Sequence, residues 1–205
     1  MINQSKKFIY LISPSKINNL NFFKNLNLVL KSNKVNFFQL RLKRVNMKKK
    51  ILLAKKIYKI CKKNNVKFII NDDPYLALKV KADGCHVGQK DTSIIKSRQL
   101  LKKKILGVTC HNSKRLALNA KKEKADYIAF GSFYKTTTKK VKYFAKKSIL
   151  KWSIKNINIP TVAIGGVNET NYKELLKNGA CYVAFSSYIW NNNKYSPLEA
   201  VSKIT

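Results

Sequence analysis

Apolar residues along the chain gather into short runs, and between the runs they recur every three to four positions among lysines and asparagines. The runs are KFIYLIS (7–13), NFFQLRL (36–42), KFIIND (67–72), GCHVG (84–88), ILGVTC (105–110), YIAFG (127–131), IPTVAIG (159–165) and YVAFSS (182–187). Short, and rich in Ile, Val, Phe and Tyr, they predict β-strands. The intervening stretches lie near 19–33, 47–64, 74–80, 93–103, 113–123, 145–154, 171–179 and 196–205, and most have the spacing of amphipathic helices. Ser196, Pro197 and Glu199 stand at N-cap, N1 and N3 of the last stretch, the pattern of a capping box.

Eight strand–helix units of about 26 residues each approach the minimum for a right-handed β-α repeat. KADG (81–84), KADY (124–127) and NGACY (178–182) repeat one helix exit before every second strand. No G-x-G-x-x-G follows the first strand, so closure into a barrel is favoured over an open doubly wound sheet. The expectation is α/β, a single compact (β/α)8 TIM barrel occupying residues 1–205 as one domain.

Composition changes this picture little. The 205 residues are 45% hydrophobic and 11% aromatic, which suits a folded core. The longest apolar runs are too short to cross a bilayer, and no signal-like segment is seen, so a soluble cytoplasmic protein is expected. With 43 Lys+Arg against 9 Asp+Glu, the formal charge of +34 raises a nucleic-acid or polyanion-binding reading. Only Arg41, Arg44, Arg98 and Arg115 are arginines, however, and the lysines are dispersed over predicted helices together with abundant Asn and Ile. A coding bias explains that mixture, and neither a basic tail nor a zinc-finger spacing is present. Cys61, Cys85, Cys110 and Cys181 make no C-x-x-C pair and read as small buried hydrophobes. His86 reads as a packed strand histidine, and His111, just past a strand, as the better site candidate.

In a β/α barrel, chemistry belongs at the carboxyl ends of the strands. The second strand ends with Gln39, Arg41 and Lys43 on one face and Leu40 and Leu42 on the other. Carboxylates that could neutralise Arg41 are scarce, with five Asp in the chain and four Glu that fall in predicted helices. The third strand ends in Asn71, Asp72 and Asp73, and Gly88, Gln89 and Asp91 follow the fourth. Acidic groups set among Arg41, Lys43 and Lys139 fit either plain ion pairing or, the favoured reading, a hard cation that shares phosphate oxygens, here Mg²⁺. Asp83 and Asp126, at the opposite ends of their strands, read as structural. The loop Gly131–Lys139, with Thr136, Thr137 and Thr138, combines hydroxyls and ammonium charge. Gly165–Gly166 and Ser186–Ser187 end the last two strands, where this architecture commonly holds a phosphate.

QLRLK (39–43), IINDDPYLALKVKADGCHVGQKD (69–91), LGVTCH (106–111), TTTK (136–139), VAIGGV (162–167) and FSS (185–187) resemble, in order, the motifs of the thiamine phosphate synthase family. The resemblance implies a transferase that joins a hydroxymethylpyrimidine diphosphate to a thiazole phosphate, or its carboxylated form, with Mg²⁺ and release of pyrophosphate. Its implied mechanism is dissociative: pyrophosphate leaves, and the thiazole nitrogen captures a pyrimidine carbocation. Carried over by position, Gln39, Arg41, Lys43, Asn71, Thr109 and Lys139 would hold the pyrimidine diphosphate. Arg41, Lys43, Lys139 and Thr109 would serve catalysis, and Asp72 and Asp91 would bind Mg²⁺. Thr136, Thr138, Gly166, Ser186 and Ser187 would hold the thiazole phosphate.

Four positions depart from the family pattern: Leu42 for Glu, Asp73 for Arg, Thr109 for Ser and Lys135 for Pro. Asp73 changes the charge beside Asp72 by about two units, which bears on metal affinity. Residue 42 points away from Gln39, Arg41 and Lys43, so Leu42→Glu should leave turnover little changed. The nearest rival is a thiazole tautomerase-like isomerase of the same superfamily, with His111 as base. The expected partners are small phosphorylated substrates, with no nucleic acid and no membrane, and a homo-oligomer is left open.

Overall fold

The computed structural model of the chain describes residues 8–17, 20–136 and 144–204. Strand and helix alternate through β1 (Ile9–Ile12), α1 (Leu20–Lys31), β2 (Val35–Leu40), α2 (Met47–Lys63), β3 (Lys67–Asn71), α3 (Pro74–Lys79), β4 (Gly84–Val87) and α4 (Ile94–Leu101). They continue through β5 (Ile105–His111), α5 (Lys114–Lys122), β6 (Tyr127–Gly131), α6 (Ser148–Asn156), β7 (Thr161–Ile164), α7 (Tyr172–Lys177) and β8 (Tyr182–Phe185), then α8 (Ser187–Trp190) and α9 (Pro197–Ser202). All the strand pairs are parallel and β1 closes on β8, so the fold is a (β/α)8 TIM barrel. One short helix, α8, was not anticipated between β8 and α9. Among the described residues no helix is long and apolar enough to cross a membrane.

The period of two along each strand sorts residues into two shells. Ile9, Leu11, Phe38, Leu40, Phe68, Ile70, Val108, Phe130 and Val183 face outward into the main core, where they meet the helices. Tyr10, Ile12, Tyr127, Ala129, Val162 and Ala184 form a second buried cluster. Branched aliphatics dominate such interiors in most barrels. Here two tyrosines occupy that cluster, with consequences described below.

The repeated helix exits have a common physical basis. Lys81, Lys124 and Gly179 adopt φ of 58°, 62° and 108°, the left-handed turn that stops a helix. The following Ala82, Ala125 and Ala180 each donate a backbone hydrogen bond to the helix just left, at 2.9, 2.9 and 3.1 Å. Asp83 and Asp126 then accept from the backbone of the preceding strand, at Phe68 (2.8 Å) and Leu106 (2.7 Å). Arg98 joins Asp126 at 2.5 Å and also caps the Lys102, Lys104 and Lys124 carbonyls. Both aspartates and one of the four arginines are therefore structural. The expected capping box at Ser196 and Glu199 is present.

Two sequence expectations change here. Glu169 lies in the turn before α7, and Glu123 caps α5 rather than lying within it. Cys61, Cys85 and Cys110 are buried, but Cys181 is exposed.

Leu42 does point away from Gln39, as pleating requires, but it is 9% exposed and belongs to the main core. A carboxylate placed there loses hydration without a built partner. Leu42→Glu should therefore lower stability by about 2 kcal/mol and Tm by several degrees while leaving any turnover by the folded protein near its original value. Thermal melts beside initial rates check this; an unchanged Tm would place residue 42 outside the core.

Candidate active site

The strand ends bring most of the candidate residues to one rim. β2 stops at Leu40, two residues earlier than the sequence suggests, because the Arg41 N–H turns aside to the Ser13 hydroxyl at 2.9 Å. Gln39 is buried inside the barrel, Arg41 is half-buried and Lys43 is exposed. Asn71 is the last residue of β3, and Asp72 follows it with φ of 67°, held by its N–H on the His86 carbonyl at 2.7 Å. That left-handed turn brings the Asp72 carboxyl within hydrogen-bonding reach of Asp91. Asp91 is fixed in turn, since its Oδ2 accepts from the Gly88 N–H at 2.7 Å.

Asp72 is raised to about 6, first because its carboxyl is partly desolvated and then because Asp91 crowds it with like charge. Arg41 and Lys43 oppose the shift. Two facing carboxylates with two cations beside them therefore lie on the rim formed by β2, β3 and β4. The excess negative charge between Asp72 and Asp91 is the environment that a hard divalent cation relieves. Asp72 and Asp91 would hold such an ion only in part, and an Mg²⁺ bound there would take its other oxygens from water and phosphate. Among the described residues no group of three or more His, Cys, Asp or Glu side chains could hold a metal alone.

Asp73 plays a different part from the one its charge suggested. Its carboxylate accepts from the Leu76 N–H at 2.8 Å and caps α3, whose first residue is Pro74. The charge is engaged with a helix N-terminus, which accounts for an anion at this position.

The opposite arc of the rim carries the second group. Gly165 and Gly166 have φ of 106° and 66°. A side chain on Gly166 would also run into Tyr134 and the Lys135 carbonyl, so this glycine permits the β6 and β7 loops to pack together. The Tyr134 N–H bonds the Gly165 carbonyl at 3.0 Å, and the Asn171 side chain holds the Gly166 carbonyl at 3.1 Å. Ser186 follows β8 and bonds the Ser13 carbonyl at 3.3 Å, and Ser187 begins α8. Thr136 is partly exposed at the end of the described part of the β6 loop. Thr137, Thr138 and Lys139 lie outside the described residues.

Sequence reasoning missed what lies beneath this rim. Gln39, Tyr10, Tyr127, His86 and Thr109 form a continuous hydrogen-bonded chain across the barrel interior. His86 is indeed packed, but it faces inward and is lowered to about 4, chiefly by burial, so it is neutral at physiological pH. The available signal was that Tyr10, Gln39, His86, Thr109 and Tyr127 all occupy inward positions under the period of two. Gln89 crosses the rim to the Thr109 carbonyl at 2.6 Å. His111, in contrast, ends β5 exposed, with φ of 51°.

Comparison with known proteins matches residues 9–189 to the family model described as thiamine monophosphate synthase. The thiamine-phosphate synthase of Pelagibacter ubique is 59% identical over 201 residues, covering 98% of this chain and 97% of that protein. That of Erythrobacter litoralis is 35% identical over 201 residues, with 95% and 93% covered. Among solved structures, thiamine phosphate pyrophosphorylase from Pyrococcus furiosus superposes with a TM-score of 0.85 at 25% identity, covering 98% of this chain and 96% of that one.

Proposed function

Because the chain belongs to the thiamine monophosphate synthase family and is a transferase whose condensation yields thiamine phosphate, we propose that the two arcs of its rim divide that reaction between them. The carrying observation is the pair Asp72 and Asp91, within hydrogen-bonding reach of each other and bordered by Arg41 and Lys43. This arc takes the pyrimidine diphosphate, with Gln39, Asn71 and Thr109 completing it. Asp72 and Asp91 would hold Mg²⁺, which when bound would neutralise part of the diphosphate charge. The arc of Gly166, Ser186, Ser187 and Thr136, with Thr138 from the sequence, takes the phosphate of the thiazole.

Bond cleavage moves negative charge onto the departing pyrophosphate. Arg41 and Lys43, with Lys139, interact more strongly with that group as the charge accumulates, and this differential lowers the barrier. No side chain needs to remove a proton from carbon, which suits a rim where the described histidines are a neutral buried His86 and an exposed His111 at the end of β5. The thiazole nitrogen attacks the freed pyrimidine methylene from the second arc. On this reading residues 1–205 act as one domain in the cytoplasm, on small phosphorylated molecules and not on nucleic acid.

The metal assignment has a pH consequence. A proton on Asp72 competes with the cation, and the carboxyl is raised to about 6 in the metal-free protein. Mg²⁺ affinity should therefore be nearly flat at pH 7–8 and weaken as the pH falls through about 6. Calorimetric titration of the protein with Mg²⁺ alone measures it. Affinity independent of pH between about 5 and 8 would remove Asp72 from the ligand set.

A further inference from the structure

The donor at the Gln39 end of the polar chain sets a direction that the remaining links can follow. Gln39 Nε2 donates to Tyr10 Oη at 3.0 Å. Tyr10 Oη lies 2.7 Å from Tyr127 Oη, a contact in which either hydroxyl could donate and for which Tyr10, having accepted from Gln39, still holds its own hydrogen. Tyr127 Oη, its hydrogen free of Tyr10, lies 2.9 Å from His86 Nδ1 and donates there when the imidazole hydrogen is on Nε2. With Nδ1 as an acceptor, the imidazole hydrogen sits on Nε2, which faces Thr109 Oγ1 at 2.8 Å. Thr109 then accepts from His86, and its own hydroxyl hydrogen is the one left over. In that arrangement it is available to a group at the carboxyl rim of β5.

We propose that Tyr10, Tyr127 and His86 are positioning residues that form a one-way hydrogen-bond relay, which fixes Gln39 as an acceptor and Thr109 as a donor toward the substrate. The claim rests on the reading of the rim given above and adds to it what makes two distant rim residues complementary to one ligand. At one end, the bond from Nε2 to Tyr10 fixes the orientation of the Gln39 amide, which sets Oε1 on the side away from Tyr10 as the acceptor. At the other, the Thr109 hydroxyl presents a hydrogen to an oxygen that gains negative charge as pyrophosphate leaves.

The interior is built for this relay. Tyr10, Gln39, His86 and Tyr127 are 2%, 3%, 7% and 3% exposed, so no bulk water competes for their hydrogen bonds. His86 stacks on Tyr127 with ring centroids 5.5 Å apart and planes 25° from parallel, which holds the imidazole plane. Gly107 of β5 faces the same phenol, and a methyl group there would overlap the Tyr127 ring and hydroxyl. The glycine leaves the space that the phenol fills. Five polar side chains in a layer usually filled by Val, Ile and Leu are costly to bury unless each is satisfied.

The test is the protonation pattern of His86, read by ¹⁵N NMR of the ring nitrogens. The chain has two histidines, so His111→Gln identifies the His86 signals. The relay predicts a neutral His86 at neutral pH with hydrogen on Nε2; hydrogen on Nδ1 would overturn its direction. Tyr127→Phe keeps the ring and removes the hydroxyl. It should lower kcat about tenfold with KM for the pyrimidine diphosphate changed no more than about threefold, because the donor matters most when the leaving group is charged. In a Thr109→Val background the same change should cost nothing further in kcat. Fully additive losses would show that Tyr127 does not act through Thr109. A Thr109→Val variant with undiminished kcat would instead remove the role assigned to Thr109 at the rim, a failure separate from that of the tautomer.

Discussion

Asp72→Asn is expected to abolish the Mg²⁺ response of turnover and to lower kcat/KM by at least about 100-fold, and Asp91→Asn to do nearly the same. An amide keeps the shape of each side chain and removes the charge that binds a hard cation. The same substitution at Asp72 should stabilise the metal-free protein, and the sign follows from linkage. Its carboxyl is raised to about 6 in the fold, above the value of an unfolded chain, so between about pH 4 and 6 the folded state binds more protons than the unfolded one. Stability is thus lost as pH rises through that window, and at pH 8 in EDTA the ionised Asp72 opposes folding. Asp72→Asn removes this penalty and should raise Tm, whereas an ordinary structural aspartate would lower it when replaced. A variant with a lower Tm and an unchanged Mg²⁺ titration would assign Asp72 to the scaffold.

Arg41→Met should cost on the order of 100-fold in kcat, since it deletes a cation set against a leaving group that becomes more anionic. Methionine preserves much of the aliphatic length, and the backbone N–H of residue 41 still reaches Ser13, so the turn after β2 should survive. The guanidinium also holds Asp72 down, so its loss should move the acid limb of Mg²⁺ binding to higher pH. Arg41→Lys restores the charge without the two-pronged geometry and should recover that limb more fully than kcat. A KM effect alone, with kcat and the acid limb unchanged, would make Arg41 a residue of ground-state binding.

The barrel could be read from the chain because its determinants are local and repeated. Alternation marks each strand, and left-handed exits at Lys81, Lys124 and Gly179 give the KADG, KADY and NGACY echoes their common form. The rim could be read because strand ends project the Gln39–Lys43 and Asn71–Asp72 segments together. Asp73 could not be read, since a carboxylate beside Asp72 looks identical in sequence whether it faces a cation or caps a helix. Proline at 74 was the local sign that it caps. The relay was hidden for another reason: Tyr10 and Tyr127 are 117 positions apart and meet only because the barrel closes. Leu42 shows the intermediate case, in which pleating gave the direction of the side chain but not the depth of the core it enters.

That the Asp72–Asp91 arc releases pyrophosphate from one substrate while the Gly166–Ser186 arc presents the other is a division of labour open to direct test. It is tested most directly by incubating the purified protein with the aminopyrimidine diphosphate, thiazole phosphate and Mg²⁺ and quantifying thiamine phosphate and pyrophosphate in the same samples. Equimolar amounts of the two products, both lost in EDTA and both lost with Asp72→Asn, are the predicted result. Thiamine phosphate formed at the same rate in EDTA, or by Asp72→Asn as fast as by the unaltered protein, would contradict it.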